Sequence, residues 1–250
     1  MLNAVKSFEV DVDWSVSTIL PIEFQGKELH LEARAYQGTD PTCQAMALIH
    51  RPKAPKPAVN GHANGHANGH ANSNGHANVN GHAMAGNAIA LNTVVNNEQV
   101  PIVRVHSGCV TGDIFHSLRC DCYSQLKASM ERITTSEYGI LVYLPYHEGR
   151  GIGLVNKIRT YALQDQGYDT LDANLAIGAP ADARDYDLTA QILLDLGARR
   201  IKLLTNNPAK VDALRALGIT VVERVPVVSE PTLYNKRYLN TKRERMAHKI

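Results

Sequence analysis

No stretch of this sequence approaches the apolar length needed to span a bilayer. Residues 1–13 also lack the basic start and unbroken apolar run of a secretory signal, because Lys6, Glu9, Asp11 and Asp13 interrupt them. The expectation is a cytoplasmic chain with no membrane partner. An excess of one charge is missing too: the formal net charge is +2 with histidines neutral, which argues against a broad nucleic-acid surface but leaves room for a local basic pocket. Cysteines number four. Cys43 stands alone and reads as a small core residue. Cys109, Cys120 and Cys122 crowd together, and in a reducing compartment such a cluster reads as a metal or catalytic site before a disulfide framework. What remains is 44% hydrophobic and 20% charged over 250 residues, the composition of a soluble globular protein with a sizeable core.

Large apolar residues are nearly absent from residues 53–97, where Pro gives way to repeats of Asn60-Gly61-His62-Ala63. Such a segment cannot offset the entropy of ordering, so it is expected to be a disordered low-complexity insertion. His62, His66, His70, His76 and His82 offer loose metal binding, but a solvated spacer is the simpler expectation. Surface loops tolerate long insertions at modest closure cost. The chain is therefore expected to form a single domain over 1–250, with N-terminal strands in 18–50 and a catalytic core in 99–225.

Alternation of Leu29, Leu31 and Ala33 with His30, Glu32 and Arg34 predicts a half-buried strand, with 45–49 as its partner. Beyond the insertion the pattern becomes α/β. Strands are expected at 100–106, 139–144, 200–204 and 219–222. Helices are expected at 123–133, 153–166 (with Leu154, Ile158, Tyr161 and Ala162 on one face) and 185–196. A last helix opens on Asn207-Pro208 and stops at Gly218, an N-cap, a first-turn proline and a terminal glycine. This alternation implies an α/β fold with a mixed, partly parallel sheet flanked by helices.

Cys109, Cys120 and Cys122 form C-x10-C-x-C. Three protein ligands with an open position is the pattern of catalytic zinc. Spacing alone equally allows a closed site completed by His106 or His116, or three buried cysteines.

The context of these cysteines carries a resemblance. Arg104-Val105-His106-Ser107-Gly108-Cys109-Val110-Thr111-Gly112-Asp113 leads into Ser117-Leu118-Arg119-Cys120-Asp121-Cys122. Then come Glu148-Gly149-Arg150-Gly151-Ile152-Gly153-Leu154, the run 161–174, Asp182-Ala183-Arg184-Asp185-Tyr186 and Leu203-Leu204-Thr205-Asn206-Asn207-Pro208. In order and spacing these blocks resemble GTP cyclohydrolase II, from Arg104 to about Lys210, with weaker similarity from 20 to 49 and on to the C-terminus.

The resemblance implies a zinc-dependent hydrolase that opens the guanine imidazole ring of GTP at C8. It would release formate and pyrophosphate and yield a diaminopyrimidine ribosylamine monophosphate, the entry to riboflavin. It implies one zinc on Cys109, Cys120 and Cys122 and a homodimer; Mg2+ on the triphosphate is expected from the chemistry, although no carboxylate cluster for it is identifiable. Tyr161 matches a tyrosine near the metal that orders water or donates a proton; on the residues alone it is equally a helix core position. Asp182 and Arg184 match positions described as proton acceptor and nucleophile. A guanidinium stays protonated, so a clamp on the α-phosphate is the alternative. Arg104, Val105, His106, Ser107, Gln125, Glu148, Gly149, Arg150, Thr170, Thr205 and Lys210 fall at positions implied to bind GTP. Glu148 has the acceptors to select the guanine edge. Thr205 and Lys210 flank a strand end and a helix N-terminus, a natural phosphate site.

The match breaks in three places. Gly108 stands where the family usually has glutamate, Tyr146-His147 where it usually has Arg-Gln, and Phe115-His116 differs from the commoner pair. These departures are read either as compensated drift or as a paralogue with a shifted substrate or product. A nucleotide-binding protein without turnover is a further alternative. A fused second enzyme is not expected in the first hundred residues.

Overall fold

A computed structural model describes residues 13–51 and 99–249; the side chains of 13–15 and of Arg237 lie outside the description. The low-complexity stretch 53–97 and its five histidines also lie outside it.

Seven strands form one sheet: β1 (Asp13–Phe24), β2 (Lys27–Gln37), β3 (Gln44–His50), β4 (Ile102–Ser107), β5 (Gly139–Leu144), β6 (Arg200–Leu204) and β7 (Thr220–Val225), in the order β1-β2-β3-β5-β4-β6-β7. The first three are antiparallel, and β3 joins β5 antiparallel, with Leu48 opposite Leu141. From β5 through β4 and β6 to β7 the pairing is parallel. The sheet is thus mixed, as the sequence pattern implies.

Parallel neighbours need crossovers, which the helices supply. These are α1 (Val110–Asp113), α2 (Cys122–Thr135), a turn of 3-10 helix (Pro145–His147), α3 (Glu148–Gly151), α4 (Gly153–Asp165), α5 (Asp172–Ala176), α6 (Asp187–Asp195), α7 (Pro208–Ala216) and α8 (Lys236–Arg245). Strand alternation sorts the core into two layers. Ile140, Val142 and Leu144 of β5 face one way, with Val103, Val105, Ile201 and Leu203, and are covered by α6 (Leu188, Ile192) and α7 (Val211, Leu214). Leu141 faces the other way, with Leu31, Ala33 and Leu48, and is covered by Met130 and Ile133 of α2. Asn207 caps α7, its side-chain oxygen accepting from the Ala209 N–H at 3.0 Å.

The crossover from β4 to β5 runs over one face, and the later ones return over the other. The connections leaving the neighbouring strands β4 and β6 therefore run to opposite faces, and the switch point lies between these two strands. In open α/β sheets the crevice at the carboxyl ends of strands beside such a switch point is where ligands bind.

One expected face is corrected. In α4 the buried residues are Lys157 and Thr160, while Leu154 and Ile158 are 43% and 49% exposed and Ala162 is also exposed. The inward side of this helix looks onto a polar cavity, so its apolar stripe turns outward.

Candidate active site

The cavity opens at the carboxyl ends of β4 and β6. It is lined by all three clustered cysteines and by Arg104, His106, Ser107, Gln125, Gly149, Arg150, Tyr161, Thr170, Arg184, Thr205 and Lys210 among the expected residues. Three expected residues do not line it. Val105 points into the core, and only its carbonyl is engaged, accepting from Lys210 Nζ at 2.8 Å. Asp182 stands behind Arg184. Glu148 is buried, with one oxygen accepting from the Val110 N–H at 2.6 Å and the other from Lys157 Nζ at 2.6 Å. With both oxygens taken up by the protein, Glu148 is not placed as a guanine acceptor in this arrangement.

Cys109 follows β4, Cys120 precedes α2 and Cys122 is its first residue, so two chain segments converge on one point. The Sγ atoms of Cys109 and Cys120 are 3.7 Å apart, and all three sulfurs lie within 4.8 Å of one another. Sulfurs at about 2.3 Å around a tetrahedral zinc stand about 3.8 Å apart, so the donors and their spacing fit that ion. Among the described residues no histidine completes a closed site. His106 directs Nε2 to Asp113 at 3.1 Å, and His116 stacks on Tyr123 with ring centroids 3.8 Å apart. Gly112 makes room for the cluster: a Cβ there would meet the sulfurs of Cys109 and Cys120 at 3.0 Å and the Cβ of Cys122 at 2.9 Å.

One sulfur of the cluster is already biased toward ligation. Hydrogen bonds from the Cys120 and Cys122 thiols, and then the Lys157 ammonium, hold Cys109 far toward thiolate against its burial. Cys120 is pushed up to about 11, chiefly because it donates to Cys109, and Cys122 moves up for the same reason. Lys157 Nζ lies 3.0 Å from Cys109 Sγ. Burial opposes its charge, but Cys109 and Glu148 outweigh burial and keep it an ammonium. Sequence reasoning missed Lys157, because a lysine on an amphipathic helix reads as solvated. Only a glutamate nine residues before it hinted at a partner.

Tyr161 stands beside the cluster. Its hydroxyl is 3.5 Å from Thr111 Oγ1, itself 3.8 Å from Cys109 Sγ. Burial raises its pKa, so it keeps its proton.

Across the cavity, Arg184 makes a two-pronged ion pair with Asp182, Nε to Oδ1 at 2.7 Å, and also donates to Ser107 Oγ at 3.3 Å. Burial disfavours its charge, yet Asp182 moves the guanidinium pKa up. The loop before α4 braces this pair. Gly149 and Arg150 both take positive φ (62° and 66°), and the Arg150 carbonyl accepts from the Ala183 N–H at 3.0 Å. A left-handed Arg costs on the order of 1–3 kcal/mol and persists where surrounding structure over-determines it.

Arg104 and Lys210 are buried on the cavity wall. Arg104 donates to the Leu204 carbonyl at 3.0 Å and to Gln125 Oε1 at 2.7 Å. Lys210 donates to the Val105 carbonyl. Among the described residues neither has a carboxylate at ion-pair distance. Burial first, then Arg104 and Arg184, push Lys210 well below the usual lysine range.

Two of the three departures noted above meet here. The Gly108 N–H donates to the Leu144 carbonyl at 2.9 Å, and a Cβ on Gly108 would lie 3.0 Å from Pro145 Cα and 3.1 Å from that carbonyl oxygen. His147 lines the cavity, with Nδ1 3.2 Å from Ser107 Oγ. Burial, then Arg184 and Lys210, lower its pKa to about 3, so it is a neutral imidazole.

The model of the family described as GTP cyclohydrolase II matches residues 62–226. "Riboflavin biosynthesis protein RibBA" of Aquifex aeolicus is 53% identical over 161 residues, covering 64% of this chain and 40% of that protein. The protein of the same name from Mycobacterium ulcerans is 56% identical over 149 residues, 60% of this chain and 35% of its own length. "Monofunctional riboflavin biosynthesis protein RIBA 3, chloroplastic" of Arabidopsis thaliana is 52% identical over 161 residues, 64% of this chain and 31% of that protein. The chain thus spans well under half the length of these relatives. No helix among the described residues is long and apolar enough to cross a membrane.

Proposed function

This chain belongs to the GTP cyclohydrolase II family, and on that premise we propose that it hydrolyses GTP in the cavity described, releasing formate and pyrophosphate from the nucleotide. The observation that carries this reading is the pairing of opposites in one pocket. A three-sulfur cluster lies on one wall, and two buried basic side chains without carboxylate partners, Arg104 and Lys210, lie on another. Uncompensated buried cations are costly, and an anionic ligand relieves them.

Cys109, Cys120 and Cys122 would hold zinc, one per chain, and the zinc would supply Lewis-acid activation of water for attack on C8. The chain's own residues divide the remaining work. Lys157, held by Glu148, balances the charge of Cys109. Tyr161 keeps its proton and is poised to donate toward a ring nitrogen as the imidazole opens. Arg104 and Lys210 bind phosphate oxygens, with Thr205 at the end of β6 beside them. Arg184 stays protonated, which favours a clamp on the α-phosphate, aimed by Asp182, over attack by the guanidinium. His106, Ser107, Gln125, Gly149, Arg150 and Thr170 complete the substrate wall. Val105 and Glu148 contribute by positioning Lys210 and Lys157. We assign Mg2+ to the triphosphate, the chain to riboflavin biosynthesis and its assembly to a homodimer, following the relatives' names and the resemblance.

The test is incubation of zinc-loaded protein with GTP and Mg2+, following formate, pyrophosphate and the nucleotide by mass spectrometry. One formate and one pyrophosphate per diaminopyrimidine product are expected; absence of both products would overturn the reading. A second reading, a paralogue that retains the formyl group, is favoured by the position of Gly108 and His147 on the cavity wall. Pyrophosphate released without formate would select it.

A further inference from the structure

Beyond β7 the chain turns back over the cavity. The side chain of Asn206, at the end of β6, accepts from the Val227 N–H at 2.9 Å and donates to its carbonyl at 2.6 Å. Its own carbonyl accepts from the Lys249 N–H at 2.9 Å. One residue thus pins both ends of the 227–249 excursion.

Within it, α8 is rich in Lys and Arg, and Leu239 is its one buried large apolar residue. The helix is fastened by charge. Lys242 pairs with Asp121 at 3.2 Å, and Arg245 pairs with Asp172 at 3.0 Å and with Asp169. Tyr238, Lys242 and Met246 recur every four residues and share the face that lines the cavity. The family match stops at residue 226, before any of them.

We propose that residues 227–249 form a flap over the cavity and that Lys242 is the cation it delivers to the phosphates of the substrate, an inference that rests on the nucleotide reading above. An ammonium has three donors. Asp121 takes one, and the ring of Tyr238, 4.2 Å away, steadies the charge. Lys242 belongs to the same field as the wall cations, since its charge is among those that lower Lys210. Its docking also reaches the wall through hydrogen bonds. The Asp121 oxygen opposite Lys242 accepts from Gln125 Nε2 at 2.5 Å, and Gln125 Oε1 accepts from Arg104. A flap held by a few ion pairs, with little apolar burial, opens for exchange and closes more firmly on an anion.

The full-length zinc-loaded protein tests this with three readouts: KM for GTP, inhibition by inorganic pyrophosphate, and inhibition by guanosine. Lys242→Met is expected to raise KM and the pyrophosphate inhibition constant at least about tenfold, leaving zinc content and guanosine inhibition unchanged. Pyrophosphate is expected to slow tryptic cleavage inside 236–245, and Arg245→Ala to speed it in the absence of ligand. Unchanged KM and pyrophosphate inhibition in Lys242→Met would overturn the role of Lys242. Equal loss of guanosine and pyrophosphate inhibition would reduce it to a structural anchor and overturn it likewise. Cleavage indifferent to pyrophosphate would overturn the flap. A wild-type chain that neither turns over GTP nor binds pyrophosphate would instead sink the underlying nucleotide reading.

Discussion

A single hydrogen atom decides whether the three sulfurs can converge. Gly112 packs against them, and a methyl group there would sit at 2.9–3.0 Å from three atoms of the cysteines, two of them the sulfurs that would have to hold the ion. Gly112→Ala is therefore expected to spread the cluster. Zinc measured by mass spectrometry should fall from one equivalent to well below half, with formate release falling in step. Full zinc occupancy in this variant would mean that the sulfurs do not hold the ion in the arrangement described. Lys210 offers a different handle. Burial and its cationic neighbours lower its proton affinity in the free protein. A bound anion restores that affinity, so anion binding takes up a proton. Affinity should accordingly fall as pH rises from the lowered value of the free lysine toward that of the complex. Titration calorimetry with pyrophosphate in two buffers of different ionisation enthalpy would register the uptake. Lys210→Met should abolish it and bind more weakly; an unchanged proton count would show that Lys210 does not meet the anion.

At the scale of elements, Gly108 and the 3-10 turn behave as one unit. A Cβ on Gly108 would meet its neighbours at 3.0–3.2 Å, and these belong to the segment that carries the Tyr146-His147 departure from the family pattern. Gly108→Glu alone is expected to destabilise the protein by about 1–3 kcal/mol through overpacking. Combined with Tyr146→Arg and His147→Gln, the cost should shrink by more than about 0.5 kcal/mol, the coupling expected of residues in contact. Strict additivity in denaturant unfolding would mean that the departures arose independently. The same scale shows what the sequence discloses. Strands β2 to β7 announce themselves because alternation and β-branched runs report burial on the sheet, and α7 because its cap is local. The α4 face is illegible because periodicity assumes that an inward face is apolar, whereas here it meets thiols and a carboxylate. α8 carries almost no apolar period and is held by aspartates more than sixty residues distant, a partnership that no local pattern encodes. Most of the residues lining the cavity are legible as a set through their motifs. The engagement of Glu148 with Lys157 rather than the cavity is not, since it depends on how α4 packs.

The whole molecule explains how a long, compositionally odd stretch can sit inside the fold. His50, near the end of β3, and Ile102, at the start of β4, both pair with Gly139 of β5, one on each side. Two strand spacings separate them, roughly 10 Å. Three or four residues reach that far at about 3.3 Å each, so the 47 residues from 52 to 98 are not needed as a bridge. Chain entropy then sets the sign of their effect. Shortening the connection to about eight residues removes between two and three doublings of loop length, each worth about 0.6 kcal/mol. Replacing 53–97 by a short Gly-Ser loop is therefore expected to stabilise the protein by about 1.2–1.8 kcal/mol in urea unfolding, with kcat/KM for GTP within twofold of the parent. Stability that rises while turnover collapses would place the stretch in the catalytic cycle. Stability that falls would show that it contributes contacts to the folded protein that outweigh its closure entropy.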